Sequence, residues 1–138
     1  PDLAINKFTL AMLSDEPITL FGDGSSSRDY THISDIVHGI EKAMAYLRGF
    51  DIFNLGESNS VSLKELVTLL EGSTGKKADI KYLPMQDGDV LRTFADISRA
   101  KNVLGYSPVI NINDGIRKYV EWVRIKAGIS TGNEVAVK

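Results

Sequence analysis

The sequence contains no cysteine, which excludes disulfide bonds and zinc sites built on thiolates. It has only two histidines, His32 and His38, and two histidines cannot form a metal site alone, so we expect no bound metal. No apolar run approaches the length of a membrane span, and a formal net charge of −2 gives no indication of a strongly basic surface. We therefore expect neither nucleic acid nor a membrane as a partner.

The composition that remains is that of an ordinary globular domain. The 138 residues are 43% apolar and 25% charged, which is enough for one domain with a hydrophobic core. The first residue is Pro1 rather than Met, and an amphipathic helix begins at Asp2, so we expect a fragment of a longer protein. The predicted domain covers residues 1–129, and residues 130–138, which lack periodicity, are predicted to be a disordered tail.

Hydrophobic periodicity, capping residues and glycines predict helices that alternate with short strands. The predicted helices cover residues 2–12, 34–47, 62–72 (or to 75), 96–104 and 111–128 (or from 113), and the predicted strands cover residues 18–21, 30–33, 52–56 and 78–83. This order indicates a small mixed α/β domain of short strands and about five helices. No G-x-G-x-x-G follows a strand, so the dinucleotide-binding fingerprint is absent.

Two helices carry large apolar residues that we expect to be buried. The second helix, with Ser34 as its predicted N-cap, has a predicted buried stripe of Ile36, Val37, Ile40, Ala43, Met44 and Leu47. In the last helix, Trp122 is predicted to be a core anchor rather than a platform for stacking bases.

The most informative segment is the Gly/Ser-rich loop at residues 22–28, which ends at Arg28. Such a loop leaves backbone N–H groups accessible, and a guanidinium at its end can bind a phosphate or diphosphate through two-point contacts. Asp23-Gly24 is equally typical of a plain β-hairpin turn, and the local pattern by itself favours that interpretation.

A second polar loop covers residues 86–92 and contains Gln86, Asp89 and Arg92. If both loops face one cleft, their arginines would bind phosphates and their carboxylates would accept hydrogen bonds from sugar hydroxyls. A solvated acidic turn is the alternative. No tyrosine has a lysine four residues later on a predicted helix, so we expect no catalytic residue in this chain.

The motifs, taken in order, resemble the C-terminal part of an NAD-dependent nucleotide-sugar epimerase/dehydratase of the extended short-chain dehydrogenase/reductase family. They are Phe21-Gly22-Asp23-Gly24, Ser27-Arg28-Asp29-Tyr30, Phe53-Asn54-Leu55-Gly56, Val61-Ser62-Leu63-Lys64-Glu65-Leu66, Gly88-Asp89-Val90 and Leu104-Gly105-Tyr106-Ser107-Pro108. The nearest subgroup is that of the UDP-glucuronate and UDP-N-acetylglucosamine 4-epimerases. The resemblance implies a cytoplasmic protein and a substrate-binding lobe without the Rossmann half.

The resemblance also implies roles for individual residues. Arg28 would contact the diphosphate, Asp89 the ribose hydroxyls, and the backbone around Thr19 and Phe21 the uracil. Gln86 stands where UDP-galactose 4-epimerases tend to carry a second phosphate-binding arginine, which favours the glucuronate subgroup. Arg92 would then be the candidate for the second cation.

The implied function is to anchor the UDP part of a UDP-sugar. NAD and a Tyr-x-x-x-Lys site, both in the missing N-terminal Rossmann domain, would epimerise C4, so this fragment alone would be inactive and hold no cofactor. The full-length protein would be a homodimer through the missing half. Leu3, Ile5 and Phe8 are expected to form the surface that meets the cofactor domain. The alternatives are a stand-alone nucleotide-binding or structural module, and the lobe of a UDP-sugar decarboxylase or dehydratase.

Overall fold

The computed structural model describes residues 3–46 and 48–128, and within these ranges it has five α-helices and four short strands. Their order is α1 (Ala4–Leu13), β1 (Ile18–Phe21), β2 (Ser27–Asp29), α2 (Ile33–Ala45), β3 (Ser60–Ser62), α3 (Leu63–Thr74), β4 (Ile80–Leu83), α4 (Ser98–Leu104) and α5 (Ile112–Ala127). The predicted α/β class with about five helices is confirmed. The predicted tail at residues 130–138 lies outside the described part of the chain.

The strands pair in two separate sheets. β1 and β4 are parallel, with Ile18 opposite Ile80, whereas β2 and β3 are antiparallel, with Arg28 opposite Val61. Since β1 and β2 lie in different sheets, the turn at Asp23-Gly24 does not close a hairpin, and that interpretation is wrong. The loop at residues 22–26 instead carries the chain from one sheet to the other.

The main core lies between β1 and the three helices α1, α3 and α5. Leu20 of β1 and Leu66 and Leu70 of α3 have no exposed surface, and they are surrounded by Phe8, Met12, Val67, Ile116 and Val120. Burying side chains of this size contributes about 1.5–3 kcal/mol each. This packing fixes β1, and with it the start of the Gly/Ser loop. A smaller second core joins α4 to the buried Tyr106.

Most helix ends follow the predicted capping residues. Ser62 and Glu65 form the predicted capping box of α3, and α4 and α5 stop at the glycines 105 and 128, each in the left-handed conformation. The start of α2 differs from the prediction. His32 has an extended backbone and its Nδ1 accepts from Ser34 N–H at 3.2 Å, so His32 is the N-cap and Ser34 is already helical.

The predicted buried stripe of α2 is wrong. Val37, Ile40 and Met44 are 44%, 47% and 71% exposed, and Ile33 is exposed as well. Ile36 and Ala43 are only half-buried, and Leu47 lies outside the described residues. The reason is that α2 packs on one side against α4 and the segment at residues 53–55, while the helix has apolar residues on a second side that no described element covers.

Two further expectations of burial are also wrong. Residues 52–56 form no strand: Phe53 and Leu55 are half-buried, Ile52 and Asn54 are exposed, and no ladder pairs the segment. Trp122 is 53% exposed and stacks on Tyr119 at a ring separation of 6.0 Å, since α5 turns Ile116, Val120 and Val123 towards the core instead.

Among residues 3–46 and 48–128 there is no helix with both the length and the apolar character that a membrane span requires.

Candidate functional site

The candidate site lies at the edge where β1 and β4 end. The carboxyl ends of parallel strands meet at one edge of a sheet, so the Gly/Ser loop after β1 and the polar loop after β4 start side by side. Gly22 N–H donates to Leu83 O at 2.8 Å. Gly22 has a φ of +70°, which favours glycine, and a Cβ there would lie 2.7 Å from Met85 Sδ and displace that side chain.

Arg28 and Asp89 face each other across this site. Arg28 Nη1 donates to the carbonyl of Ser27 at 3.0 Å, and Arg28 Nη2 lies 3.7 Å from Asp89 Oδ1. That second distance is too long for a good hydrogen bond, so the guanidinium keeps donors for a ligand. The side chains are 27% and 41% exposed, which leaves both within reach of a small molecule. The structure therefore brings together the cation and the carboxylate that the sequence singled out.

The Gly/Ser loop offers fewer backbone donors than expected. The N–H groups of Gly22, Ser25 and Ser27 already donate to Leu83 O, Asp23 Oδ1 and Leu91 O. The carbonyls of Gly24 and Ser26 accept from the first turn of α3, at Lys64 N and Leu63 N. These bonds tie the loop to the start of α3. Anion binding here would rest more on the Arg28 guanidinium than on backbone N–H groups.

Arg92 does not join Arg28. The stretch around Arg92 pairs in parallel with Ser27, so these two side chains share a face, while Arg28, the next residue along β2, points to the other face. Arg92 Nε donates to Ser60 Oγ at 3.3 Å, and its guanidinium lies over the Phe94 ring at 5.2 Å. In this register the Arg92 side chain lies on the opposite face of β2 from Arg28, so the structure does not favour Arg92 as a second cation beside Arg28.

The other candidate residues lie around the same edge. Thr19 and Phe21 are half-buried on the face of β1 opposite the buried Ile18 and Leu20. Gln86 is exposed, and its carbonyl accepts from Asp89 N–H at 3.2 Å, which closes the turn that carries Asp89. Contacts of Thr19, Phe21 and Gln86 with a nucleotide stay predictions.

Two open clefts flank these residues, and none of the six candidates lines either. One, of about 480 Å³, is lined by Asp29, Thr31, Phe53, Asn54, Leu55, Gly56, Thr93, Phe94 and Ala95. The other, of about 560 Å³, is lined by Gly22, Asp23, Lys64, Tyr82, Leu83 and Pro84. Sequence reasoning missed two charged residues here, Lys64 and Asp29. Both stood inside recognised motifs, but only the fold shows that they line clefts.

Three carboxylates lie near the first cleft. Asp29 and Asp35 each accept hydrogen bonds from backbone N–H groups, whereas Glu57 Oε2 is buried without a partner. Burial raises the pKa of Glu57, and the neighbouring charges of Asp35 and Asp29 raise it further. Tyr106, whose hydroxyl donates to Gly56 O at 3.0 Å, also has a pKa raised by burial. Within the described ranges, no three acidic or histidine side chains are grouped to hold a metal ion.

Known proteins resemble this chain in sequence and in fold. The family model described as GDP-mannose 4,6 dehydratase matches residues 3–119. A UDP-glucuronate 4-epimerase from Thermodesulfobacterium geofontis is 40% identical over 123 residues, which is 88% of this chain and 38% of that protein.

Two solved structures show the same fold. The UDP-glucuronic acid 4-epimerase from Bacillus cereus, in complex with UDP-glucuronic acid and NAD, gives a TM-score of 0.82 at 33% identity, covering 89% of this chain and 41% of its own. The UDP-glucose 4-epimerase from Thermotoga maritima, with UDP-glucose, gives 0.84 at 32% identity, covering 91% and 40%.

These matches define the class as the extended short-chain dehydrogenase/reductases that comprise nucleotide-sugar epimerases and dehydratases, so the predicted resemblance is confirmed. The chain belongs to the family that the GDP-mannose 4,6 dehydratase model describes, and it corresponds to a C-terminal part of such proteins. It spans about two fifths of the length of these relatives.

Proposed function

We propose that this chain is the substrate-binding lobe of a UDP-sugar 4-epimerase and anchors the UDP part of the substrate. The observation that carries the proposal is the approach of Arg28 and Asp89, 3.7 Å apart, at the edge where β1 and β4 end. A guanidinium with free donors suits a diphosphate, and a carboxylate beside it suits vicinal ribose hydroxyls. The relatives that hold UDP-sugars support this assignment.

The chemical step belongs to the longer chain. NAD and a Tyr-x-x-x-Lys pair in an N-terminal Rossmann domain would oxidise and re-reduce the sugar C4, and the lobe would hold the nucleotide while the sugar turns. The lobe alone would bind no NAD and show no turnover. A homodimer formed through the N-terminal half, a cytoplasmic location and the lack of a nucleic-acid partner stay predictions.

The structure exposes only part of the surface that the sequence predicts to meet the Rossmann domain. Leu3 is exposed, but Phe8 is only 7% exposed and Ile5 packs against the main core. Exposed apolar side chains occur at several places on the described surface, and four of them, Ile33, Val37, Ile40 and Met44, lie along α2 next to the unpaired segment at residues 50–55. We propose that the Rossmann domain covers this α2 face, which the relatives' additional length supports.

The experiment is calorimetric titration of UDP into the longest natural chain that contains this sequence. Arg28→Ala is expected to weaken binding by about 1.5–3 kcal/mol, the scale of hydrogen bonds to a charged group. Arg117→Ala is the matched control, since Arg117 pairs with Asp114 on the exposed side of α5. In steady-state assays the Arg28 variant should mainly raise KM. An unchanged UDP affinity would show that Arg28 does not bind the diphosphate.

One observation favours a different nucleotide. The matching family model is described after a dehydratase of GDP-mannose, so the lobe could hold guanine rather than uracil. Titration with GDP under the same conditions decides between them. Binding of UDP at least tenfold tighter than GDP supports the epimerase assignment, and the reverse order supports a GDP-sugar dehydratase. Binding of neither nucleotide would leave a structural module as the function.

A further inference from the structure

Asp29 follows Arg28 in β2 but serves the opposite face of the strand, because successive side chains of a strand alternate. Its carboxylate accepts three backbone hydrogen bonds. Oδ1 accepts from Glu57 N–H at 3.0 Å, and Oδ2 accepts from Ser58 N–H at 3.1 Å and from Ala95 N–H at 3.0 Å. The Asp29 side chain therefore connects β2, the strand that carries Arg28, with two segments that lie far from β2 in the sequence.

The bond to Ala95 holds one arm of the loop that carries Asp89. Residues 91–95, which we call the anchored arm, lie along β2. Ser27 N–H donates to Leu91 O at 2.8 Å, Thr93 N–H donates to Ser27 O at 3.1 Å, and Asp29 N–H donates to Thr93 Oγ1 at 3.1 Å. On the N-terminal side of Asp89, residues 84–88 are exposed throughout, and the bond from Asp89 N–H to Gln86 O closes a turn within the loop itself. The position of Asp89 therefore depends on the anchored arm.

We propose that Asp29 is a positioning residue of the nucleotide site: it fixes the anchored arm, and so sets where Asp89 stands relative to Arg28. The inference rests on the proposed function, which makes Arg28 and Asp89 ligands of the nucleotide. A carboxylate is required for this role. The isosteric amide of asparagine has one acceptor oxygen, and its NH₂ group would face a backbone N–H donor.

Asp35 supplies a matched control. It is buried, and its two oxygens accept from Val109 N–H and Ile110 N–H, each at 3.0 Å. Both Asp29→Asn and Asp35→Asn thus remove a carboxylate that serves backbone donors. Only Asp29 bonds to the anchored arm. A purely structural role for Asp29 would make the two variants behave alike.

The first arm of the test needs no ligand. Amide hydrogen exchange is measured in the longest natural chain at a temperature where all variants are folded. Asp29→Asn should speed exchange at Thr93 and Ala95 at least tenfold, and Asp35→Asn should leave these two amides unchanged. Unchanged exchange at both positions in Asp29→Asn overturns the proposal, whether or not the chain binds UDP.

The second arm measures UDP affinity. Asp29→Asn should weaken binding about fivefold to tenfold, Asp35→Asn less than twofold, and Asp29→Asn should add nothing in an Asp89→Ala background. An equal loss in both backgrounds would show that Asp29 does not act through Asp89. If the parent chain binds no UDP while exchange responds as expected, the proposed function fails, and Asp29 holds the arm for another purpose.

Discussion

Two sides of this domain differ in how fully the chain itself pairs their polar groups and covers their apolar side chains. Around β2, the Asp29 carboxylate accepts three backbone N–H donors, and Glu57 Oε2 is the exception that is buried without a partner. Around α2, apolar side chains such as Ile40 and Met44 remain exposed, and the neighbouring segment at residues 52–55 has no ladder partner. The first side carries the candidate site, and the second presents apolar side chains of the kind that another protein surface commonly covers.

The largest expected effect tests the packing of the β2 side. A Cβ on Gly56 would lie 2.4 Å from Ala95 Cβ, so Gly56→Ala forces the Gly56 segment and the anchored arm apart. We expect a loss of about 3 kcal/mol in unfolding free energy, the upper range for overpacking. Gly72→Ala, in open space on α3, is the control and should gain up to about 1 kcal/mol. Urea denaturation measures both, and equal effects would contradict the crowding at Gly56.

The next prediction tests the α2 side. Ile40→Gln combined with Met44→Gln should change the stability of this 138-residue chain by less than about 0.5 kcal/mol, because both side chains are exposed. In a longer chain that carries the proposed Rossmann domain, the same pair should cost about 2 kcal/mol, since apolar area would be lost from the interface. Denaturation of both chains checks this. Equal small effects in both would mean that no domain covers α2.

A smaller effect concerns Glu57, the one poorly satisfied group among the described residues of the β2 side. Its folded-state pKa is raised, so the folded chain binds more protons than the unfolded chain as pH approaches that pKa, and stability falls as pH rises through it. Glu57→Gln should therefore stabilise the chain at neutral pH by up to about 1 kcal/mol, because the amide lacks the charge that burial and the Asp35 and Asp29 carboxylates disfavour.

The pH dependence supplies the internal control for Glu57. The advantage of Glu57→Gln should shrink towards zero below about pH 4, where the parent carboxyl is protonated in both states. Thermal melts from acidic to neutral pH measure the difference. A constant difference across this range would show that charge is not its origin.

Local signals predicted the elements that local chemistry controls. The capping box of α3 and the glycine stops of α4 and α5 depend on residues within one helix turn, and their positions were found. The pairing of β1 with β4 and the short strand β3 could not be found in this way, because pairing depends on residues distant in sequence. The stripe of α2 was assigned to the core because periodicity reports that a face is apolar but not what covers it.

The same division between local and distant signals applies to the candidate site. Arg28 and Asp89 were identified from their motifs, and the structure brings them together. The alternation of side chains along β2 separates Arg92 from Arg28, which required the register with Ser27. Asp29 belongs to a recognised motif, but its hydrogen bond from Ala95 N–H joins segments that are distant in sequence, so only the folded structure shows it.

The parallel pairing of β1 with β4 has a consequence for the order of folding. Ile18 can pair with Ile80 only after the intervening elements β2, α2, β3 and α3 have been synthesised. Closing so long a loop is slow relative to forming a helix. We expect the helices to form early and the edge that carries both loops to assemble last. A newly made chain would thus form its helices before it forms the edge at which we propose that a nucleotide binds.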